Sequence, residues 1–116
     1  MTLLLLILIN QLRITPVIES PVLSEMAVAR AEQIYTSGQF SHDGWTKEFY
    51  KTNCTYAGEV LARRFKTDTD AQNALIKSPS HKFILTHPRF QTVGIGKYKN
   101  VLVELFCNKN PVIKWQ

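Results

Sequence analysis

The sequence predicts an α+β domain, with helices early and a β-hairpin at the C-terminal end. Two observations carry this: helix-start signals recur through the first three quarters of the chain, and the apolar period shortens to two near its end. The start signals are Ser20-Pro21, Thr67 with Asp70, and Ser78-Pro79. A hydroxyl ahead of the first turn accepts a hydrogen bond from an otherwise orphaned backbone N–H, and proline at the first helical position loses no bond there. Near the end, Val93 and Ile95 alternate with glycines. Val101, Val103 and Leu105 then alternate with Leu102, Glu104 and Phe106. Residues 97–100 lie between the two runs, so they read as a hairpin.

The other elements follow in order. Residues 2–13 read as a mostly buried helix that ends before Pro16, because the residue preceding a proline is pushed away from the helical region. A second helix spans 21–37 and puts Leu23, Met26, Ala27, Ala31 and Ile34 on one face, with Gly38 placed for a left-handed stop. Residues 39–44 form a polar turn presenting His42. Residues 45–52 read as a short helix, and 53–62 as irregular or partly extended. Thr67 and Asp70 open a helix to residue 77. Ser78 and Pro79 open another, which carries His81, Phe83, Ile84 and Leu85 until Pro88 stops it.

A chain of 116 residues reads as one domain, 1–116, and 45% apolar residues are enough for a packed core, which excludes a disordered chain. The net charge of +5 would suit an anionic partner. The basic residues are scattered, with Arg63, Arg64 and Lys66 the densest group, so a solvated basic surface is the plainer reading and no specific nucleic acid partner is predicted. Cys54 and Cys107 lack the close spacing of a zinc site. They suit one disulfide in an oxidising compartment, or two reduced, buried thiols. The run from Leu3 to Ile9 is too short to span a bilayer, so no transmembrane span is predicted. Residues 1–9 read either as signal-like or as the start of the first helix. Without a basic start and a small-residue cleavage site, the helix is favoured.

Several chemistries are not encoded. There is no Gly-x-Ser-x-Gly elbow, no His-Glu-x-x-His and no phosphate-cradling glycine loop. Ser41 and Ser80 each neighbour a histidine in sequence, and adjacent residues seldom face one another. His87, ahead of Pro88, reads as a surface residue. Gly94 and Gly96 sit in a strand pattern, where they permit close backbone approach.

A set of short motifs runs along the chain in fixed order: Asn10-Gln11-Leu12-Arg13, Pro16-Val17 with Leu23, Phe40-Ser41-His42, Gly58-Glu59, Ser78-Pro79-Ser80-His81, and Phe90 followed by Val93-Gly94-Ile95-Gly96. Together they resemble the CAP superfamily of SCP-like extracellular domains (CRISP/antigen 5/PR-1), in its short bacterial or phage-like form. The similarity spans about residues 8–107. There are departures: Val60 stands where the family has Asn after the glutamate, Leu75 stands in place of a Trp, and the place of the larger members' second acid falls near Ser78.

The resemblance implies a CAP-type α-β-α sandwich in which His42, Glu59 and His81 converge in one cleft. These three are the candidate metal ligands, for zinc or another divalent metal, and also the candidate catalytic residues. It further implies a secreted, extracellular or virion-associated binding and interaction module, monomeric or weakly dimeric, whose partner is an extracellular ligand, a lipid or a cell-surface component. Two alternatives stand beside it: a metal-dependent or His/Glu-assisted hydrolase of peptide or cell-wall substrates, and a structural domain with a degenerate site.

Overall fold

The computed structural model describes residues 3–114. The predicted first helix begins at residue 2, which with residues 1, 115 and 116 lies outside the described residues. The elements run α1 (Leu3–Asn10), β1 (Ile18–Glu19), α2 (Pro21–Ser37), a 3₁₀ turn (Lys47–Lys51), β2 (Ala57–Arg63), α3 (Asp68–Lys77), α4 (Pro79–Thr86), β3 (Thr92–Tyr98) and β4 (Val101–Cys107). The strands form one sheet in the order β1-β3-β4-β2, antiparallel except for the β1–β3 pair.

All seven residues of β4 are buried because helices cover both faces of the sheet. Val101, Val103, Leu105 and Cys107 point to α2 and meet Leu23, Ala27, Ala31 and Ile34. Leu102 and Phe106 point the other way, into a second core with Leu5, Leu75 and Leu85 from α1, α3 and α4. This is the α-β-α sandwich that the motifs implied.

The caps of α2 form as the sequence suggested. Ser20 Oγ accepts from the Leu23 N–H, Pro21 opens the helix, and Gly38 takes a positive φ of 74° while its N–H bonds Ile34 O. A side chain at Gly94 or Gly96 would collide with the α2 backbone at Leu23 or at Ala27–Val28, so these two glycines set how closely α2 lies on β3. Thr67 caps α3 through the Asp70 N–H. Ser78 precedes α4 as expected, but its hydroxyl meets Ser80 Oγ instead of capping the helix.

Four readings need correction and one is sharpened. The first helix stops at Asn10 and is not mostly buried: Leu5 and Ile9 are covered, while Leu3, Leu4 and Ile7 face outward because α1 is an outer layer resting on α3. The short helix at 45–52 is a single 3₁₀ segment, Lys47–Lys51. The segment 53–62, read as irregular or partly extended, is extended from Ala57, and Ala57–Arg63 pairs with β4 along its whole length; a strand buried on both faces shows no alternation that would have set its bounds. Two-residue β1 was not foreseen, and the hairpin loop contracts to Lys99 (φ +54°) and Asn100. His87, read as surface, is half-buried and enclosed by aromatic rings.

Three side-chain devices pin the ends of the layers. The Asn10 amide exchanges two hydrogen bonds with the backbone of Val17, at 2.8 and 3.0 Å. Arg13 donates to Leu85 O and Phe90 O, both at 2.9 Å, tying the end of α1 to the chain between α4 and β3. Cys54 and Cys107 form a disulfide that joins the segment before β2 to the end of β4.

Candidate functional site

Odd-numbered positions of β2 face α2, and Glu59 is one of them. Its carboxylate is buried, with one oxygen 2.8 Å from Arg30 Nε and the other 2.9 Å from His42 Nδ1. Arg30 reaches it from the buried face of α2 and also donates from Nη2 to Ser41 O, 2.9 Å away. One guanidinium thus neutralises the carboxylate and holds the backbone of the turn that presents His42. Arg30 was missed in the sequence. The signal was there: it lies three residues after Ala27 and four before Ile34, a charge on an apolar helical stripe.

His42 is half-exposed and bonds Glu59 through Nδ1, while its Nε2 has no hydrogen-bond partner among the described residues. His81 lies in the first turn of α4. Its Nδ1 is buried with no hydrogen-bond partner among the described residues. Burial, and secondly the charge of His42, holds its imidazole below the usual range, so the two histidines lie within electrostatic reach. His42 and Glu59 therefore touch directly, while His81 is coupled to them through space. No hydrogen bond joins it to the pair among the described residues.

A cleft of about 430 Å³ opens here. His42, Glu59 and Ser80 make its polar part, and Trp45, Tyr56, Phe83 and Phe90 line much of the rest. His87 stands behind that wall, with its Nε2 3.2 Å from the Tyr56 hydroxyl. Neither serine is set up as a nucleophile. Ser41 Oγ accepts from the Asp43 N–H, and Ser80 Oγ meets Ser78 Oγ.

Among the described residues, no three His, Cys, Asp or Glu side chains are grouped to hold a metal ion. Glu59 does not fit direct ligation, because Arg30 already compensates its charge. Imidazoles are the residue type for a softer N-donor role, and Glu59 fixes the orientation of His42. His81 is not among the residues lining the cleft, and only its electrostatic coupling relates it to His42. No helix among the described residues is long and apolar enough to cross a membrane.

Compared by sequence, the chain matches no family model and no curated protein. Solved structures do match by shape. An outer surface protein from Borrelia burgdorferi aligns at a TM-score of 0.78 with 22% identity, covering 91% of this chain and 90% of that one. An extracellular protein containing an SCP domain from Bacillus anthracis aligns at 0.75 with 21% identity, and a cysteine-rich secretory protein from Staphylococcus aureus at 0.71 with 14%. The chain spans about a third of each of the last two, 34% and 32%, while they cover 81% and 82% of it. The motif order in the sequence, the two-sided sheet and these likenesses converge: the chain has the α-β-α fold of the SCP-like CAP domain.

Proposed function

We propose that the chain is an extracellular SCP-type binding module whose cleft holds a divalent metal, such as zinc, between His42 and His81, with Glu59 orienting His42. The observation that carries this reading is the 2.9 Å contact of His42 Nδ1 with Glu59 Oε1. A carboxylate on one imidazole nitrogen fixes the ring and leaves the other nitrogen for a ligand. The depressed His81 supports it, since the neutral imidazole is the form that ligates. A bound cation would supply Lewis acidity or a bridge to an anionic ligand group. The chain's own part is to position the imidazoles and to balance the buried charge through Arg30.

The disulfide supports an oxidising compartment, and the matched proteins are described as extracellular, outer-surface or secretory. A hydrolase finds less support. Glu59 has both oxygens committed, and neither Ser41 nor Ser80 is hydrogen-bonded to a histidine among the described residues. Calorimetric zinc titration of the wild type, His42→Ala and His81→Ala tests the proposal. Binding in the wild type that both variants lose is expected, and a silent wild type overturns it. Turnover of a peptide and peptidoglycan panel, lost in Glu59→Ala, would return the hydrolase to first place.

A further inference from the structure

β2 is an edge strand, and its free side opens into the cleft. The ladder with β4 shows which backbone groups point outward. Asn108 N bonds Tyr56 O and Arg64 N bonds Asn100 O, so residues 56 and 64 turn their backbone groups toward β4. Hydrogen-bonding direction alternates along an antiparallel strand, so Ala57, Glu59, Leu61 and Arg63 turn theirs toward the free edge. Glu59 and Leu61 are buried, which closes the edge beyond them. Ala57 is only half-buried, lines the cleft, and its N–H and C=O have no partner among the described residues.

The walls on either side of this opening differ. On one side α4 presents Ser80, Phe83 and Ile84; on the other the 42–45 turn presents His42 and Trp45. Phe83 is 62% exposed, a large ring left uncovered at the rim of a cleft. Tyr56 beside it is a braced wall, stacked on Phe90 at 5.4 Å and capped by the Arg89 guanidinium at 3.9 Å. Gly58 forms the floor. A Cβ there would lie 3.0 Å from both Ile84 Cγ2 and Phe90 Cζ, so these two side chains close directly onto its backbone. A void of about 150 Å³ accommodates a benzene ring, so 430 Å³ has space for a ring and its attached chain.

We infer that this cleft docks an extended peptide, with Ala57 pairing to its backbone and the Phe83–Tyr56 wall receiving a bulky apolar side chain. The inference rests on the cleft being the ligand site, and it does not require the metal. Successive side chains of an extended chain point to opposite faces. One side chain then meets the α4 wall, and its neighbour meets His42 and Trp45. A donor and an acceptor on one strand residue match the N–H and C=O of one residue of an extended chain, which belong to two peptide groups; the single amide of phenylacetamide cannot reach both.

The test is an NMR titration of the full chain, with chelator present, using acetylated, amidated Ala-Phe-Ala and Ala-Ala-Ala tripeptides and free phenylacetamide. The Phe peptide should bind about tenfold tighter than the Ala peptide, as expected for burying one aromatic ring. It should shift the Ala57 amide signal, and Phe83→Ala should remove most of the advantage. Equal binding of the two peptides overturns the subsite. Phenylacetamide binding as tightly as the Phe peptide overturns the peptide class and assigns the cleft to free aromatics. Because the titration is metal-free, its failure leaves the zinc reading standing, and a failed zinc titration leaves this one standing.

Discussion

Arg30 Nε and Glu59 Oε2 lie 2.8 Å apart in the sheet–helix interface, and among the described residues no other Arg or Lys pairs with that carboxylate. Removing one member of a buried pair leaves the other charge uncompensated, which costs about 3 to 5 kcal/mol. Arg30→Met should lower urea-unfolding stability by that order and loosen the turn carrying His42. The double variant Arg30→Met with Glu59→Leu should recover much of the loss. A single variant within about 1 kcal/mol of wild type would mean that the pair does not organise the site.

Glu104 gives the fold a pH dependence. It is fully buried on β4 between Val60 and Ile95, and both its oxygens lack a partner among the described residues. Burial, with the charge of Asp68 second, pushes its carboxyl up to about 8. The unfolded chain releases this proton near 4.5. Between those values the folded state holds a proton that the unfolded state has lost, so stability falls as pH rises through the interval and levels off above about 8. A shift of that size corresponds to at most roughly 5 kcal/mol. Urea unfolding of wild type and Glu104→Gln across this range should diverge, with the variant losing less stability toward high pH. Parallel curves would show that Glu104 does not titrate in this window.

Gly94→Ala and Gly96→Ala should each destabilise more than surface changes do, by about 3 kcal/mol or more. The added methyl group meets backbone atoms of α2, which cannot rotate away. Thermal unfolding checks this. Gly38→Ala, which meets only open space but must hold a positive φ, should cost about 1 kcal/mol.

The disulfide closes a separation of 53 residues. In the chain-entropy view this stabilises by about 4 kcal/mol. Denaturation with and without reductant should show a loss of that order, matched by the Cys54→Ser, Cys107→Ser double variant. An unchanged midpoint would assign the bond no part in holding the end of β4.

Local features were legible in the sequence because they act over a few residues. Ser20, Pro21 and Gly38 bound α2 correctly, and Thr67 caps α3, since a cap is a contact between near neighbours. The period-two run located β3 and β4. β2 was legible only as a partly extended stretch because both its faces are buried, so its residues carry no alternation, and β1 is too short to leave a pattern. Distance along the chain also hid the disulfide, which sequence alone could only offer beside two free thiols.

For the site, the sequence by itself determined which residues to inspect: His42, Glu59 and His81 stood out through their motifs. Tertiary structure decided what each one does. Glu59 became the buried partner of Arg30 because β2 and α2, 29 residues apart at this pair, pack face to face. His42 became its oriented neighbour because Arg30 holds the Ser41 carbonyl. His81 approaches from the opposite helical layer and stays without a hydrogen bond to either. Caps and periods are read from neighbouring residues, whereas charge pairing, burial and cleft walls exist only once remote segments have been brought together.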